Sequence, residues 1–452
     1  MYRRKKWCLN IRRQEKWNAG SFIWTHKEFK DMIRFLQFSD IHFLFCEETE
    51  DDYAQMRIRF IEDLENVKQQ FGPIDHVLIC GDIACKGQKE EFNKAREFID
   101  AVSNVLEVNG KRPNVFVVPG NHDINRKSYE ATRNLLRPVL LDKKNNNKFL
   151  QKIKHTEPNT LKILYAPLSA YNEFAQPYFI DEVSETIMID DMDELCFDNK
   201  NYYWKFSLGK EGDYKVNLYG LNSTLTCDGK ERAKKDLKED NHLTFLPRAA
   251  YNIQAYSNEI NISMIHHPLD WLIDENHVCK IFDDRFKLQF FGHMHIQSSQ
   301  NDKTIKIFSG AFQPEQEVDI MDCPPVYNVI ELSVENTIMT VKLESRKWDG
   351  AYFIKYVEES KTMSVSLASP DNWSEIAQEE AKKDPIAIED IMIPINEINY
   401  MFINSDNQRE IIEKLLPETY DDKRSDRANC LIFLKAVKEK GLYQQLLNEL
   451  NK

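Results

Sequence analysis

The sequence lacks a long hydrophobic run, a CxxC pair and an excess of positive charge, and each absence excludes a class of protein. A transmembrane helix needs about 20 consecutive apolar residues, and the N-terminal region has no apolar centre of the signal-peptide kind. The 9 cysteines are scattered and odd in number, which is typical of reduced thiols. We therefore expect a cytoplasmic protein with no membrane partner.

A net charge of −13 argues against a surface that mainly coats nucleic acid, although a local basic groove is compatible with it. Residues 1–31 differ from the rest because they hold nine Lys/Arg and three Asp/Glu, a net charge of +6. This basic extension is either a dispensable upstream segment or an arm that binds a partner or a polyphosphate. The remaining chain is acidic.

The length of 452 residues predicts more than one domain. Short apolar strands alternate with amphipathic helices from residue 32 to 357, which predicts an α/β domain with a largely parallel sheet. A long insertion is expected at about 124–260, and paired strands are predicted in its last part. A polar linker or surface helix is expected at 358–384, and a separate helical C-terminal domain at 385–452.

Five of the predicted strands end in side chains that offer oxygen or nitrogen donors. The motifs are, in chain order, Asp40-Ile41-His42, Gly81-Asp82, Gly120-Asn121-His122-Asp123, His266-His267-Pro268 and Gly292-His293-Met294-His295. Alternate residues of a strand point to the same face, and ligands of α/β sheets gather at the carboxyl ends of strands. We therefore expect these donors to converge, with the glycines allowing close approach of the backbone.

The donor types indicate metal ions of a particular kind. Two Asp, one Asn and four His are too many ligands for one tetrahedral zinc, and no thiolate accompanies them. Mixed nitrogen and oxygen donors suit two ions such as Mn²⁺, Fe or Zn²⁺. A carboxylate can bridge ions about 3.5–4 Å apart, and Asp82 is our candidate for that bridge.

The motifs DIH, GD, GNHD, HHP and GHMH, in this order, resemble the motif blocks of the calcineurin-like metallophosphoesterase superfamily. The likeness covers residues 32 to about 345. It implies a four-layer αββα sandwich with a dinuclear metal site. The motif spacing, HHP, the LNST strand and the YNVIEL strand look most like the cyclic-nucleotide phosphodiesterase-like branch.

The resemblance also implies a role for each motif residue. One metal would be held by Asp40, His42, Asp82 and His295, and the other by Asp82, Asn121, His266 and His293. His122 would donate a proton or stabilise charge at the substrate phosphate, oriented by Asp123. Mn²⁺ is the preferred metal, with Fe, Zn and Ni as alternatives. His267 is expected beside the ligands as an orienting residue, and Cys85 stands where a small or hydroxyl residue is expected.

Three functions remain open from the sequence. The first is hydrolysis of a phosphodiester, favouring a small cyclic or linear nucleotide. The second is a nuclease that acts on DNA or RNA. The third is a recruitment or self-associating protein that acts through 385–452, with the metal core as scaffold. His76, His155, His242 and His277 have no motif around them, and we expect them at the surface or at helix ends.

Overall fold

The computed structural model describes most of the chain. The described residues are 32–43, 53–179, 203–233, 242–253, 255–314, 323–367, 402, 407–420, 429, 432–434, 436–437 and 440–450. The predicted basic extension, 1–31, lies outside the described residues, as do 368–384 of the predicted linker and 385–401 of the predicted C-terminal domain. Among the described helices, none has the length and apolar content needed to cross a membrane.

The described strands and helices follow the alternation that the sequence predicts. The strands are β1 (Ile33–Phe38), β2 (His76–Ile79), β3 (Asn114–Val117), β4 (Tyr203–Glu211), β5 (Tyr214–Leu221), β6 (Glu259–Ile265), β7 (Leu288–Phe291), β8 (Ser298–Asn301), β9 (Ile305–Phe308), β10 (Val326–Glu335), β11 (Ile338–Trp348), β12 (Phe353–Lys355) and β13 (Lys361–Ser366). The α-helices are α1 (Ala54–Phe71), α2 (Lys89–Leu106), α3 (Glu130–Leu140), α4 (Asn146–Thr156), α5 (Pro158–Tyr165), α6 (Ser169–Phe179), α7 (Arg248–Tyr251), α8 (Glu275–Arg285), α9 (Gln408–Leu415) and α10 (Tyr443–Leu450).

The strands form two sheets. The first has the order β12-β11-β10-β1-β2-β3, with β13 also paired to β11, and the second has the order β4-β5-β6-β7-β9-β8. Strands β1, β2 and β3 are parallel, as are β5, β6, β7 and β9. The predicted hairpin is confirmed, since β10 and β11 pair antiparallel. Parallel strands put their carboxyl ends at one edge of each sheet.

Two boundaries differ from the sequence prediction. Strands β4 and β5 lie inside the predicted insertion, yet they belong to the second sheet. The predicted insertion at 124–260 therefore extends too far toward its C-terminal end. Residues 361–366 are β13 rather than linker or surface helix, and they pair with β11. Its alternating burial, with Met363 and Val365 buried, is the pattern of an edge strand that covers a core on one face.

The two sheets face each other across a shared core, and helices cover their outer faces. The rings of Phe35 on β1 and Phe290 on β7 have centroids 6.0 Å apart. On the outer face of the first sheet, α1 buries an apolar stripe that includes Phe60, and Phe60 lies 5.8 Å from the ring of Phe38. On the second sheet, α8 buries Phe282. This is the four-layer α/β arrangement that the sequence predicts.

His76 was expected at the surface and is instead buried, with 7% of its area exposed. It lies on β2 between the rings of Phe35 and Phe116, each with its centroid 5.6 Å away. Burial lowers its pKa to about 3, with a smaller contribution from Lys111. The neutral imidazole therefore acts as a core aromatic group.

Contacts divide the chain into two compact units, 1–368 and 369–452. The C-terminal unit has its own apolar core, which includes Phe402, Ile412, Phe433 and Leu446. Gly441 has a left-handed φ of 66° just before α10 begins, which agrees with the helix break that the sequence predicts there.

Candidate metal centre

The loops that follow the strands of both sheets hold an unusual backbone conformation. Of the 8 described non-glycine residues with positive φ, 5 are predicted metal ligands: Asp40 (56°), His42 (50°), Asp82 (52°), His293 (69°) and His295 (56°). Such a conformation costs about 1–3 kcal/mol per residue and persists only where the surroundings enforce it. The concentration of strain at these positions marks a functional site.

Backbone hydrogen bonds lock these loops together. The N–H groups of Ile41 and His42 both donate to the carbonyl of Asp82, at 2.8 and 3.0 Å. Gly120 must be glycine, because a Cβ there would lie 2.1 Å from Oδ1 of Asp82. At Gly292 a Cβ would lie 2.3 Å from Oγ of Ser39. The loops therefore approach one another at backbone distance, as the sequence predicts.

A first group of donors surrounds the carboxylate of Asp40. Its Oδ1 lies 3.3 Å from Nε2 of His295 and 3.9 Å from Nε2 of His42. One ligand atom from each of these three residues lies within 4.8 Å of the others. The second oxygen of Asp40 accepts hydrogen bonds from Oγ of Ser39 (2.5 Å) and from the backbone N–H of His293 (3.1 Å). These bonds orient Oδ1 toward the two imidazoles.

A second group of donors surrounds Nε2 of His266. This nitrogen lies 3.1 Å from Oδ1 of Asn121, 3.1 Å from Nδ1 of His293 and 3.2 Å from Oδ2 of Asp82. The other ring nitrogen, Nδ1, donates to the carbonyl of Cys80 at 2.8 Å. A backbone acceptor of this kind fixes the tautomer and leaves Nε2 as the ligand atom.

Asp82 lies between the two groups. Its ligand atoms cluster with those of His42 and His122 on one side and with those of Asp40 and His266 on the other. Asp82 is 1% exposed. Burial raises its pKa, but the charges of His266 and His122 outweigh burial and hold the pKa well below its ordinary value. An ionised carboxylate that lies between two groups of donors is suited to bind a cation in each group.

Charge at the centre favours cation binding. Burial raises the pKa of Asp40, but the hydrogen bond and charge of His295 bring it down to about 2. Burial lowers the pKa of His42 to about 4 and that of His293 to about 3, so both imidazoles are neutral donors at pH 7. Burial also lowers the pKa of His266, but Asp82 and Asp40 raise it to about 9. The carboxylates of Asp82 and Asp40 therefore stabilise positive charge at the centre.

The residues fit divalent metal ions by two observations of this structure. Both ring nitrogens of His42 are buried atoms that have no hydrogen-bond partner among the described residues. Buried polar atoms in proteins normally have a partner, and a cation is one that satisfies carboxylate and imidazole together. All seven predicted ligands are brought together: Asp40, His42, Asp82, Asn121, His266, His293 and His295.

His122 lies at the rim of the centre, with its ring centroid 4.8 Å from that of His42. Asp123 was expected to orient this ring, and that prediction is wrong. The Nδ1–H of His122 donates to the carbonyl of Cys85 at 2.9 Å. Asp123 instead accepts N–H groups of Ile83, Ala84 and Gly120, each at 2.8 Å. Asp123 therefore ties two ligand-bearing loops together, and Cys85 contributes its backbone rather than its thiol.

His267 lies beside the second group, as the sequence predicts. Its Nδ1 is 2.8 Å from Oγ of Ser223, and a ligand atom of its ring lies within 4.8 Å of those of His266 and His293. Sequence reasoning missed Ser39, which orients Asp40, and Trp271, whose ring centroid is 4.1 Å from that of His293. Ser39 directly precedes Asp40, whereas nothing in the sequence around Trp271 indicates its position.

Comparison with known proteins gives a family match. The sequence profile of the Calcineurin-like phosphoesterase family matches residues 33–297. The uncharacterized metallophosphoesterase-like protein YydB of Bacillus subtilis is 25% identical over 270 residues, which cover 59% of this chain and 49% of YydB. The chain thus aligns with about half of YydB.

Solved structures give only weak likenesses. Vacuolar Protein Sorting 29 from Cryptosporidium parvum aligns with a TM-score of 0.30 at 11% identity, covering 74% of this chain and 98% of that one. The calcineurin-like phosphoesterase YfkN from Bacillus subtilis aligns with a TM-score of 0.28 at 10% identity, covering 78% and 97%. These scores are too low to support an inference about function.

Proposed function

The chain belongs to the calcineurin-like phosphoesterase family, and from this membership we propose that it hydrolyses phosphodiester bonds with two divalent cations. Members of this family use divalent metal ions and act on phosphoesters. The observation that carries the proposal is the convergence of two buried carboxylates and five nitrogen or amide donors from loops that are distant in sequence. The substrate and the number of ions are the proposed parts.

The chain would hold one cation with Asp40, His42 and His295 and the other with Asn121, His266 and His293, while Asp82 bridges them. When bound, such cations neutralise phosphate oxygens and lower the pKa of water to about 7. Mn²⁺ is the metal we propose, because mixed imidazole and oxygen donors without thiolate accept it. Fe, Zn and Ni suit the same donors.

His122 is the proposed proton donor to the leaving oxygen. Because its Nδ1–H is engaged by Cys85, the other ring nitrogen is the one left for a substrate. The backbone N–H of His122 also donates to Oδ1 of Asp82 at 2.7 Å, so the ring is tied to the proposed bridging residue. A positioned imidazole can give a proton to an oxygen within hydrogen-bond reach, which is the role of a general acid.

The preferred substrate is a small cyclic or linear nucleotide, with DNA or RNA as the alternative. The acidic net charge of −13 supports the small substrate, because polymer binding depends on clustered Lys and Arg. Salt-sensitive degradation of an oligonucleotide, together with indifference to cyclic nucleotides, would favour the nuclease instead.

The test is Mn²⁺-dependent hydrolysis of bis-p-nitrophenyl phosphate by the full chain. We expect turnover that Asp82→Ala abolishes, because the variant loses the ligand shared by both groups. Asp302→Ala, at an exposed turn between β8 and β9, is the matched control and keeps wild-type turnover. Equal turnover by the Asp82 variant would contradict the proposal.

The C-terminal unit, 369–452, supports a separable role in recruitment or self-association. Its own apolar core supports separate folding, which a recruitment module needs. Deleting 369–452 should leave hydrolysis intact while removing self-association or partner binding. Loss of hydrolysis on deletion would show that the unit serves the catalytic domain instead.

A further inference from the structure

Three arginines line a small cleft, with a volume of about 40 Å³, in the segment that follows the GNHD motif. Arg126 lies three residues after Asp123, and Arg133 and Arg137 lie on α3, one helical turn apart. Leu225 to Asp228, which follow β5, form part of the opposite wall. Nothing in the proposed hydrolytic centre requires a concentration of guanidinium groups at this place.

The charges in this cleft are incompletely paired. Arg137 forms an ion pair with Asp228. Among the described residues, the side chain of Arg126 donates only to the carbonyl of Asn121 (3.0 Å). Arg133 donates to backbone carbonyls, and its shorter bond goes to Cys227 (2.9 Å). Within the described part of the chain, neither Arg126 nor Arg133 has a carboxylate at ion-pair distance.

Of the acidic groups at the cleft, Glu231 and Asp228 have other partners, whereas Glu130 lines the cleft with an exposed side chain. Glu231 accepts the backbone N–H groups of Asp228 and Gly229, and Asp228 is engaged by Arg137. Nε of all three arginines, and Nη2 of Arg137, are buried without a hydrogen-bond partner among the described residues. Burying guanidinium donors without acceptors is costly, so a ligand that supplies several anionic oxygens is the natural complement.

The cleft adjoins the metal centre through two direct contacts. Arg126 bonds the backbone of Asn121, whose side chain is one of the donors around His266. Arg133 bonds the carbonyl of Cys227, and the thiol of Cys227 lies 3.9 Å from Nε2 of His267. Arg126 and Arg133 of the cleft are therefore direct neighbours of residues that surround His266.

We propose that Arg126, Arg133 and Arg137 form a subsite for a second phosphate group of the substrate, separate from the phosphodiester that is cleaved. The guanidinium fork matches phosphate oxygens in pairs, which a lysine cannot do. The subsite selects substrates that carry two phosphates and disfavours those with one. This inference rests on the proposed phosphodiesterase function and adds the class of substrate to it.

The test compares two substrates that differ by one phosphate: thymidine 3′-(p-nitrophenyl phosphate) and the same compound with a 5′-phosphate. The quantity measured is the ratio of kcat/KM for the second substrate over the first, in Mn²⁺. We expect a ratio above 10 for the wild-type chain and a decrease of about 10–100-fold in Arg133→Gln, because charge-assisted hydrogen bonds are of that strength. A merely structural role for Arg133 would lower both rates and leave the ratio unchanged.

Two further variants keep the test decisive. Arg133→Lys keeps the charge without the fork, so its ratio should fall between those of wild type and Arg133→Gln, and it serves where the Gln variant does not fold. Arg112→Gln, in the exposed turn before β3, should leave both rates at wild-type values. Ten-nucleotide oligothymidylates with and without a 5′-phosphate show whether the second phosphate belongs to a polymer, and a preference in either series supports the subsite.

The failures are distinguishable. Turnover with a wild-type ratio near 1 in both the thymidine and the oligothymidylate series, or a ratio that Arg133→Gln leaves unchanged, overturns the subsite and leaves the proposed phosphodiesterase function standing. Absence of turnover with both thymidine substrates and with bis-p-nitrophenyl phosphate overturns the proposed function, and the subsite with it.

Discussion

Replacement of Gly120 by alanine tests whether the metal centre depends on backbone contact between the loops. The new Cβ would lie 2.1 Å from Oδ1 and 2.4 Å from the backbone nitrogen of Asp82. Ordinary contacts between heavy atoms are about 3.5 Å, so one loop must move by roughly 1 Å. Gly120 has little freedom to move, because its N–H donates to Asp123 at 2.8 Å and its carbonyl accepts the N–H of Asp123 at 3.1 Å.

The structure sets the size of the expected effect. Overpacking costs about 1–3 kcal/mol, and the pinned backbone at Gly120 places the Gly120→Ala variant near the upper value, about 3 kcal/mol. In a domain of this size such a loss lowers Tm by about 6 °C. Displacement of Asp82 should also weaken Mn²⁺ binding by about 10–100-fold or more. A loss of that range is seen when a group that hydrogen-bonds to a metal ligand is removed.

The assay is urea unfolding together with Mn²⁺ titration by calorimetry. Gly110→Ala is the matched control, because its φ of 79° makes alanine unfavourable while its Cβ would meet nothing within 4 Å. We expect the control to lose about 1–2 kcal/mol and to bind Mn²⁺ as the wild type does. Wild-type Mn²⁺ affinity in Gly120→Ala would refute the reasoning, whatever its stability.

Three further outcomes are expected. Asp63→Ala should lose about 3 kcal/mol of unfolding free energy in urea, because Asp63 accepts two hydrogen bonds from Arg346 (2.7 and 2.8 Å) and one from Tyr327, while Arg346 retains Glu344. The free energy of unfolding should fall as the pH decreases below 6.5, because His76 takes up a proton in the unfolded chain but not in the folded chain, where its pKa is about 3. His76→Asn should therefore reduce the slope of unfolding free energy against pH by up to about 1.4 kcal/mol per pH unit. A chain that ends at 368 should keep Mn²⁺ binding in calorimetry, because the C-terminal unit has a separate core.

Each of these outcomes has a control. Lys342→Ala removes an exposed ion pair with Glu331 and should lower the free energy of unfolding by less than about 1 kcal/mol. A loss of the same size in Asp63→Ala would contradict the description of Asp63 and Arg346 as a buried pair. For His76, an unchanged slope between pH 6 and 5 in the Asn variant would show that the imidazole is not kept neutral by burial. Loss of Mn²⁺ binding on truncation at 368 would show that the two units depend on each other.

The sequence indicated which side chains converge at the candidate metal centre, because strand ends impose strong local constraints. A buried strand that stops at Asp40 or His266 is costly unless the donor has a partner, so the motifs themselves indicated convergence. The left-handed backbone at these ligands could not be predicted, because it follows from hydrogen bonds between loops that are distant in sequence. The role of Asp123 was wrong for the same reason: adjacency to His122 suggested a contact that the fold gives to Cys85.

The errors in the fold have a related cause. Strand β13 was interpreted as linker because its sequence, KTMSVS, is polar on the face away from the core, and an edge strand needs only one apolar face. His76 was expected at the surface because no motif surrounds it in the sequence, yet the aromatic neighbours that enclose it come from other strands. The local sequence pattern determines which side chains of a strand point to the same face. Contacts between distant strands determine which polar side chains are buried.

Anomalous diffraction from crystals of the full chain grown with Mn²⁺ tests the central claim most directly. We expect two peaks about 3.5–4 Å apart, one among Asp40, His42 and His295, and one among Asn121, His266 and His293, with Asp82 in contact with both. No peak at these seven residues, or a single peak that Asp82 does not contact, would contradict the account.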